Sequence, residues 1–391
     1  MSLDRWMEEE EKEFVSSTLL YNLYDKAKQY TKSFQKILNE EKNLIEEIYW
    51  NARDDVKKVK MRKFSEKIVA IDSSFEPIPM SLSIGKIAPI VIAYIIYPTN
   101  IKPEISVILS IPEELEEVSD ISFMAKINEL IVMKNVLEKI DVKDNIYAII
   151  RDGEFPLNEI FFKPYYAKER EELMKILGKT YNLAKNKGIG LAGIVKRIST
   201  RHIAYKYLSK EEFKKICRKK YTLLNDYILA DIILERGEYL LLGDYHDIIR
   251  YFELINPKNK TNLKKVKENI DEILPEVWNT NIVLYKPYSN METPVKLLSY
   301  RLNIEKILEI CISSTPDYPP YPDFMNIVDK VSMEYSRELK INDLFWLMLR
   351  KAFQEEEISI LEIAGKTKNI LKFSNIQKLE LINRRLTRFI K

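Results

Sequence analysis

Residues 66–77 read EKIVAIDSSFEP. Four apolar residues, Ile68 to Ile71, run without a break into Asp72, Ser73 and Ser74. A short continuous apolar run rich in β-branched residues suits a strand covered on both faces. An acid at its end then stands at the carboxyl edge of a sheet, where α/β folds bind ligands. Further along, IYAIIRDGEF at 146–155 repeats the pattern: an apolar strand, then Asp152, then Gly153 to let the chain turn.

Working outward, Ile87 to Tyr97 and Ile105 to Ile111 are two more apolar runs with short connections. With the first run they predict an antiparallel meander. Residues 121–140 carry Phe123, Ile127, Leu130, Ile131, Val136 and Leu137 on or near one helical face. Ile146 to Ile150 reads as a buried strand, 168–187 as an amphipathic helix closed by Gly188, and Ile189 to Val195 as a strand followed by Lys196. The order β-β-β-α-β-α-β predicts an α/β protein with an RNase H-like core. Its mixed sheet would have three antiparallel strands plus parallel strands fed by crossover helices.

Residues 9–62 read as one long helix without proline. Leu20, Leu23, Ala27, Tyr30, Phe34, Leu38, Ile45 and Ile48 form a stripe that needs covering by the core or by a partner. Beyond Lys196 the pattern predicts basic helices over 209–236, a strand near Tyr251 and a hairpin at 280–286 and 294–301. A Pro-rich turn at 316–322 then leads into a helix at 323–337, with C-terminal helical additions after 341. The division expected is an N-terminal helix (1–65), a central domain (66–340) and a helical extension (341–391).

Composition narrows the function classes. With 46% hydrophobic and 31% charged residues, the 391-residue chain is globular rather than disordered. Its net charge of +3 requires any nucleic-acid binding to rely on local patches. Lys206, Lys210, Lys214, Lys215, Arg218, Lys219 and Lys220 form one, and Arg384, Arg385, Arg388 and Lys391 another. Either also suits a solvated helix face. Two cysteines, Cys217 and Cys311, give neither a disulfide framework nor zinc spacing, which suits a reducing cytoplasm. The longest apolar run is too short to span a bilayer, so no membrane segment is expected.

The matched acids carry the chemical reading. Strands side by side would bring Asp72 and Asp152 together, and neighbouring carboxylates repel unless cations lie between them. Hard oxygen ligands favour Mg²⁺ or Mn²⁺. A two-metal site of this kind suits phosphodiester hydrolysis. Glu129, on the helix before the Asp152 strand, is the favoured third acid, with Glu138 as its rival. Lys196, at a strand end on the same crevice, suits neutralisation of a scissile phosphate. Arg197 and Arg201 suit backbone phosphates. Phe161, Phe162, Tyr165 and Tyr166 suit base stacking or the core. His202 and His246 are read as structural.

The ordered series of motifs resembles the archaeal NurA family of DNA nucleases. VAIDSSFEP resembles its strand ending in Asp, and INELIVMKNVLEK with IYAIIRDGEF its helix glutamate and second Asp-Gly strand. GIVKR resembles its strand ending in lysine. NDYILADIILERGEYLLLG resembles its Asp-containing helix and Gly-Glu turn, and YPPYPDFMNIVDKVSM its late Tyr-Pro motif. The likeness runs from about residue 66 to 337. It implies metal ligation by Asp72, Glu129, Asp152 and Asp329, and catalytic parts for Tyr321 and Lys196. Tyr318 rivals Tyr321 because Tyr-Pro occurs twice. Asp329 stands where many members have histidine, so a neutral imidazole base is missing. The resemblance further implies 5′-to-3′ exonuclease and single-strand endonuclease activity in DNA end resection and break repair, as a homodimer with a HerA-like hexameric ATPase. A catalytically inactive DNA-binding or ATPase-regulating subunit, and an RNase H-like enzyme acting on RNA or a junction, are the alternatives.

Overall fold

The computed structural model describes residues 17–60, 66–75, 80–82, 85–98, 103–110, 118–156, 158, 170–219, 221–255, 260–288 and 293–341. The expected extension over 341–391, the basic tail, Lys220 and the aromatic cluster at 161–166 lie outside these residues, save Ile341.

In chain order the elements are α1 (Ser17–Arg53), β1 (Val56–Lys58), β2 (Lys67–Phe75), β3 (Met80–Leu82), β4 (Gly85–Tyr97), β5 (Glu104–Ser110) and α2 (Val118–Lys139). There follow β6 (Ile146–Asp152), α3 (Arg170–Lys187), β7 (Gly190–Val195), α4 (His202–Tyr207), α5 (Lys210–Cys217) and α6 (Asp226–Ile233). The rest are β8 (Glu238–Asp244), α7 (Tyr245–Ile255), α8 (Lys260–Ile273), β9 (Thr280–Tyr285), β10 (Val295–Tyr300), α9 (Ile304–Ser313) and α10 (Asp323–Ile341).

The described strands form one 10-stranded sheet in the order β1-β8-β9-β10-β7-β6-β2-β4-β3, with β5 also on β4. Strands β2, β4 and β5 are the antiparallel meander, and β6 and β7 run parallel to β2. This is the RNase H-like mixed sheet that the sequence predicts. The β9–β10 hairpin extends it, because β10 pairs antiparallel with the outer side of β7.

Alternation along each strand sorts the core into two layers. Val69, Ile71, Ile149, Leu191, Leu298 and Tyr300 face a thick layer of helices that includes α2 and α3. Ile68, Ala70, Ala148, Ile150, Ala192 and Ile194 face α9 and α10 on the opposite side. Each fully buried Val, Leu or Ile contributes roughly 1.5–3 kcal/mol against leaving it exposed.

Two local expectations need correction. The first helix ends at Arg53, and Val56–Lys58 leaves it to pair with β8 as an edge strand, Val56 opposite Leu240. Tyr251 lies in helix α7, where Tyr245, Ile248, Ile249 and Tyr251 are buried at helical spacing. The strand there is β8, entered through Gly237 at φ +77°. The helices expected over 209–236 are present as two short ones, α5 and α6, each capped at its start by a side chain, Ser209 and Asn225.

The stripe on α1 divides between two environments. Its last third is covered: Ile45, Ile48 and Ala52 join the core, and buried Glu41 accepts hydrogen bonds from Lys219 (3.0 Å), Thr222 (2.9 Å) and the Leu223 N–H (2.8 Å). Tyr24, Tyr30, Phe34 and Leu38 stay exposed on the same helix. Among the described residues, no helix is long and apolar enough to cross a membrane.

Candidate active site

The site grows out of the pairing of β2 with β6. Ile71 lies opposite Arg151 in parallel register, so Asp72 and Asp152 follow abreast. Both share strand parity with Ile68, Ala70, Ala148 and Ile150, which face the α10 side. Lys196, two residues after Ile194 of β7, belongs to that side as well. Helix α10 crosses β2 and β4 there and brings Asp329 in.

Lys196 ties this group together. Its Nζ lies 2.8 Å from Asp152 Oδ2 and 3.3 Å from Asp329 Oδ2. The same ammonium stands 5.5 Å from the centre of the Tyr321 ring. Burial alone would lower the Lys196 pKa, yet Asp152, Asp329 and Asp72 together raise it, so the side chain is firmly cationic. Of the two candidate tyrosines, Tyr321 is beside this cluster, whereas Tyr318 is 75% exposed.

Asp72 is the strained member. It is only 6% exposed. Burial pushes its carboxyl well above the usual range, and Asp152, Glu129 and Asp329 push it the same way; Lys196 opposes them. No hydrogen-bond donor among the described residues reaches its carboxylate.

Glu129 comes to the cluster from the other face. It lies on α2, and its Oε2 accepts from Arg151 Nε at 2.9 Å and from Arg151 Nη2 as well. Its Oε1 accepts from the Ser73 hydroxyl. Ser73 and Arg151, one residue out of phase with Asp72 and Asp152, point to the α2 side by the same alternation. Glu138 is remote from this arrangement: it is exposed and pairs with Lys134 at 3.3 Å. The structure therefore brings Asp72, Asp152, Lys196, Asp329 and Tyr321 together, with Glu129 adjoining through Arg151. Among the described residues, no group of three or more His, Cys, Asp or Glu forms a ready-made metal shell.

Glycines shape the turn that holds Asp152. Gly153 takes φ +95° and its N–H donates to the Ile194 carbonyl at 2.7 Å. A Cβ on Gly193 would lie 2.3 Å from the Gly153 carbonyl oxygen, so only glycine admits this close approach.

Sequence reasoning missed Arg151, which is 1% exposed. The signal was present: a charged residue inside an apolar strand needs a buried partner. It missed a second network too. Asp226 is fully buried and accepts from the Ile203 N–H at 2.8 Å, His202 Nδ1 at 3.2 Å and the Thr200 hydroxyl. Burial would raise its pKa, but His202, Lys296 and Thr200 bring it down to about 2. This network anchors the segment that follows Lys196. Arg201 donates to the Ile216 carbonyl at 3.1 Å, while Arg197 is exposed. His246 stacks on Trp278 at 4.2 Å, away from the acids. Of the basic patch, Lys206 pairs with Asp55 and Lys219 with Glu41, leaving Lys210, Lys214, Lys215 and Arg218 exposed.

Sheet order and acid placement define the class as an RNase H-like α/β protein with a carboxylate cluster at the carboxyl edge of its parallel strands. The chain is similar in fold to the NurA nuclease from Sulfolobus solfataricus, at 12% identity over 86% of this chain and 98% of that one, with a TM-score of 0.51. NurA bound to dAMP and manganese aligns at 13% identity over 77% and 92% of the two chains, TM-score 0.49. Human ENDOV aligns at 11% identity over 76% and 98%, TM-score 0.35. No protein-family profile matches the chain, and a search of curated proteins gives no match.

Proposed function

We propose that this chain is a divalent-metal-dependent DNA nuclease. The observation that carries the reading is Asp72: a buried carboxylate set beside Asp152, facing further acids. Such repulsion is relieved by a cation, and the oxygen donors fit Mg²⁺ or Mn²⁺. Asp72 and Asp152 would hold it, with Asp329 and Glu129 adjacent. Bound there, the ion supplies charge stabilisation for phosphodiester hydrolysis.

The chain's own residues supply the rest. Lys196, kept cationic by its acidic neighbours, offers a fixed positive charge to a phosphate at the strand ends. Tyr321 packs against that ammonium and limits where it swings. Exposed Arg197 and the exposed lysines of α5 provide cationic surface for a nucleic-acid backbone.

The finer reading follows the family resemblance: 5′-to-3′ exonuclease and single-strand endonuclease action in DNA end resection, as a homodimer with a HerA-like hexameric ATPase. The exposed apolar half of α1 supports a partner contact. The test is Mn²⁺-dependent degradation of linear single-stranded DNA by the parent and by Asp72→Ala. Activity in the parent that disappears in the variant supports the proposal; none in the parent rejects it.

A second reading, a DNA-binding subunit without catalysis, draws on the engagement of Glu129 by Arg151 and Ser73. It predicts retained DNA binding with no cleavage in the same assay.

A further inference from the structure

A bracket of buried contacts joins the chain after Lys196 to the start of helix α6. The Asp226 N–H, at the first position of α6, donates to the Thr200 carbonyl at 2.7 Å. The Asp226 carboxylate accepts from the Ile203 N–H at 2.8 Å and from the Thr200 hydroxyl, and His202 Nδ1 lies 3.2 Å from it. The buried Lys296 ammonium stands 3.4 Å from the same hydroxyl, and Lys296 is registered opposite Val195, the residue before Lys196. The Asn225 side chain caps the helix by accepting from the Ile228 N–H at 3.0 Å. Residues 195–203 and the first turn of α6 are thereby held as one unit.

This unit displays Tyr227. The side chain is 40% exposed, although Asp226 next to it is fully buried. Among the described residues no aromatic ring stacks on it. It is also close to the acid cluster. Burial raises the pKa of the Tyr321 hydroxyl, and Lys196, Tyr227, Asp152 and Arg197 are each near enough to act on that hydroxyl as well. An open tyrosine ring and the exposed Arg197 therefore border the Lys196 end of the cluster. A tyrosine on a fixed helix start gives up little entropy when a flat group settles on it. Bases inside a duplex have both faces covered by their neighbours, so such a ring selects unpaired ones.

We propose that Tyr227 is a stacking platform for one unpaired base next to the phosphate held at Lys196. The proposal rests on the nuclease reading above for that phosphate and adds where the adjoining base sits.

The experiment measures binding of a fluorescent single-stranded DNA oligonucleotide to metal-free, full-length protein at low salt, by anisotropy. Tyr227→Ala should weaken binding by about 5- to 150-fold, the scale of losing one base–aromatic stack. Tyr227→Phe keeps the ring and should bind like the parent. On an oligonucleotide made entirely of abasic sites, and on blunt duplex, parent and Tyr227→Ala should bind alike. The parent alone should favour the base-bearing strand over the abasic one by at least the same factor, a comparison that needs no variant to fold. Equal binding of the base-bearing strand by parent and Tyr227→Ala would overturn the proposal, as would an equal loss on the abasic strand or a parent indifferent to the bases. Cleavage by the parent is assayed separately with Mn²⁺. Cleavage without a base-dependent effect of Tyr227 leaves the nuclease reading standing and removes the platform; the effect without cleavage does the reverse.

Discussion

Lys196 and Asp152 form a 2.8 Å ion pair at the ends of adjacent parallel strands, β7 and β6. The pair fixes an ammonium next to a carboxylate at the strand ends, where a phosphate would arrive. Lys196→Met should therefore lower the Mn²⁺-dependent rate on single-stranded DNA by about 10²–10³, the scale of losing one preorganised electrostatic group. A rate within a few-fold of the parent would remove Lys196 from the proposed mechanism.

Asp72 trades stability for function. Its folded-state pKa lies above its unfolded one, owing to burial first and then its acidic neighbours. The sign follows from linkage. The folded protein binds this proton more tightly, so stability is fully present below the unfolded carboxyl value and falls as pH rises through the folded value. Asp72→Asn removes that loss. Its metal-free form should melt higher than the parent at neutral pH, by about 1 °C per kcal/mol of repulsion relieved in a chain of this length, while nuclease activity disappears. The difference should shrink on acidification, and Mn²⁺ should stabilise only the parent. Equal melting curves in chelator across pH would contradict the argument.

Removing one side of the Arg151–Glu129 pair strands a buried charge. Arg151→Met should cost about 3–5 kcal/mol in denaturant unfolding. The double variant Arg151→Met with Glu129→Met should lose less than the two single losses added together. Simple additivity would mean the two side chains do not depend on one another.

Gly193 tests the turn after Asp152. Because a Cβ there meets the Gly153 carbonyl at 2.3 Å, Gly193→Ala must displace the backbone that carries Asp152. Catalytic rate should fall at least about 10²-fold, the scale of a 1 Å misplacement, while far-ultraviolet circular dichroism keeps its shape. Parent-like turnover would show that the turn yields without disturbing the acid.

The Asp226 network should reveal itself in acid. With a folded pKa near 2, its contribution is present above the unfolded carboxyl value and is lost as pH falls toward 2. Asp226→Asn should be less stable than the parent at neutral pH by about 1–3 kcal/mol, with the gap closing between roughly pH 4 and 2. A gap that stays constant over that window would assign the effect to packing.

Much of this was legible because it is periodic. The apolar runs before Asp72 and Asp152 announce buried strands, and parallel pairing then brings the two acids abreast. The helix at 118–139 and the β9–β10 hairpin show the same clarity. What escaped depends on contacts between distant elements. Val56–Lys58 is a strand only because β8 offers it an edge. Tyr251 sits in a run of β-branched and aromatic residues whose helical burial appears only once α7 is packed. Tyr318 and Tyr321 share the same local Tyr-Pro signal, and only the position of Lys196 separates them. The grip of Arg151 on Glu129 joins a strand to a helix across the core, beyond any local pattern.

Strand β1 closes one rim of the sheet with three residues, and two of them are the exposed lysines Lys57 and Lys58. So short and so charged a border offers little backbone for a neighbouring chain to zip onto. Crowded copies would repel one another along that margin instead of stacking into larger sheets.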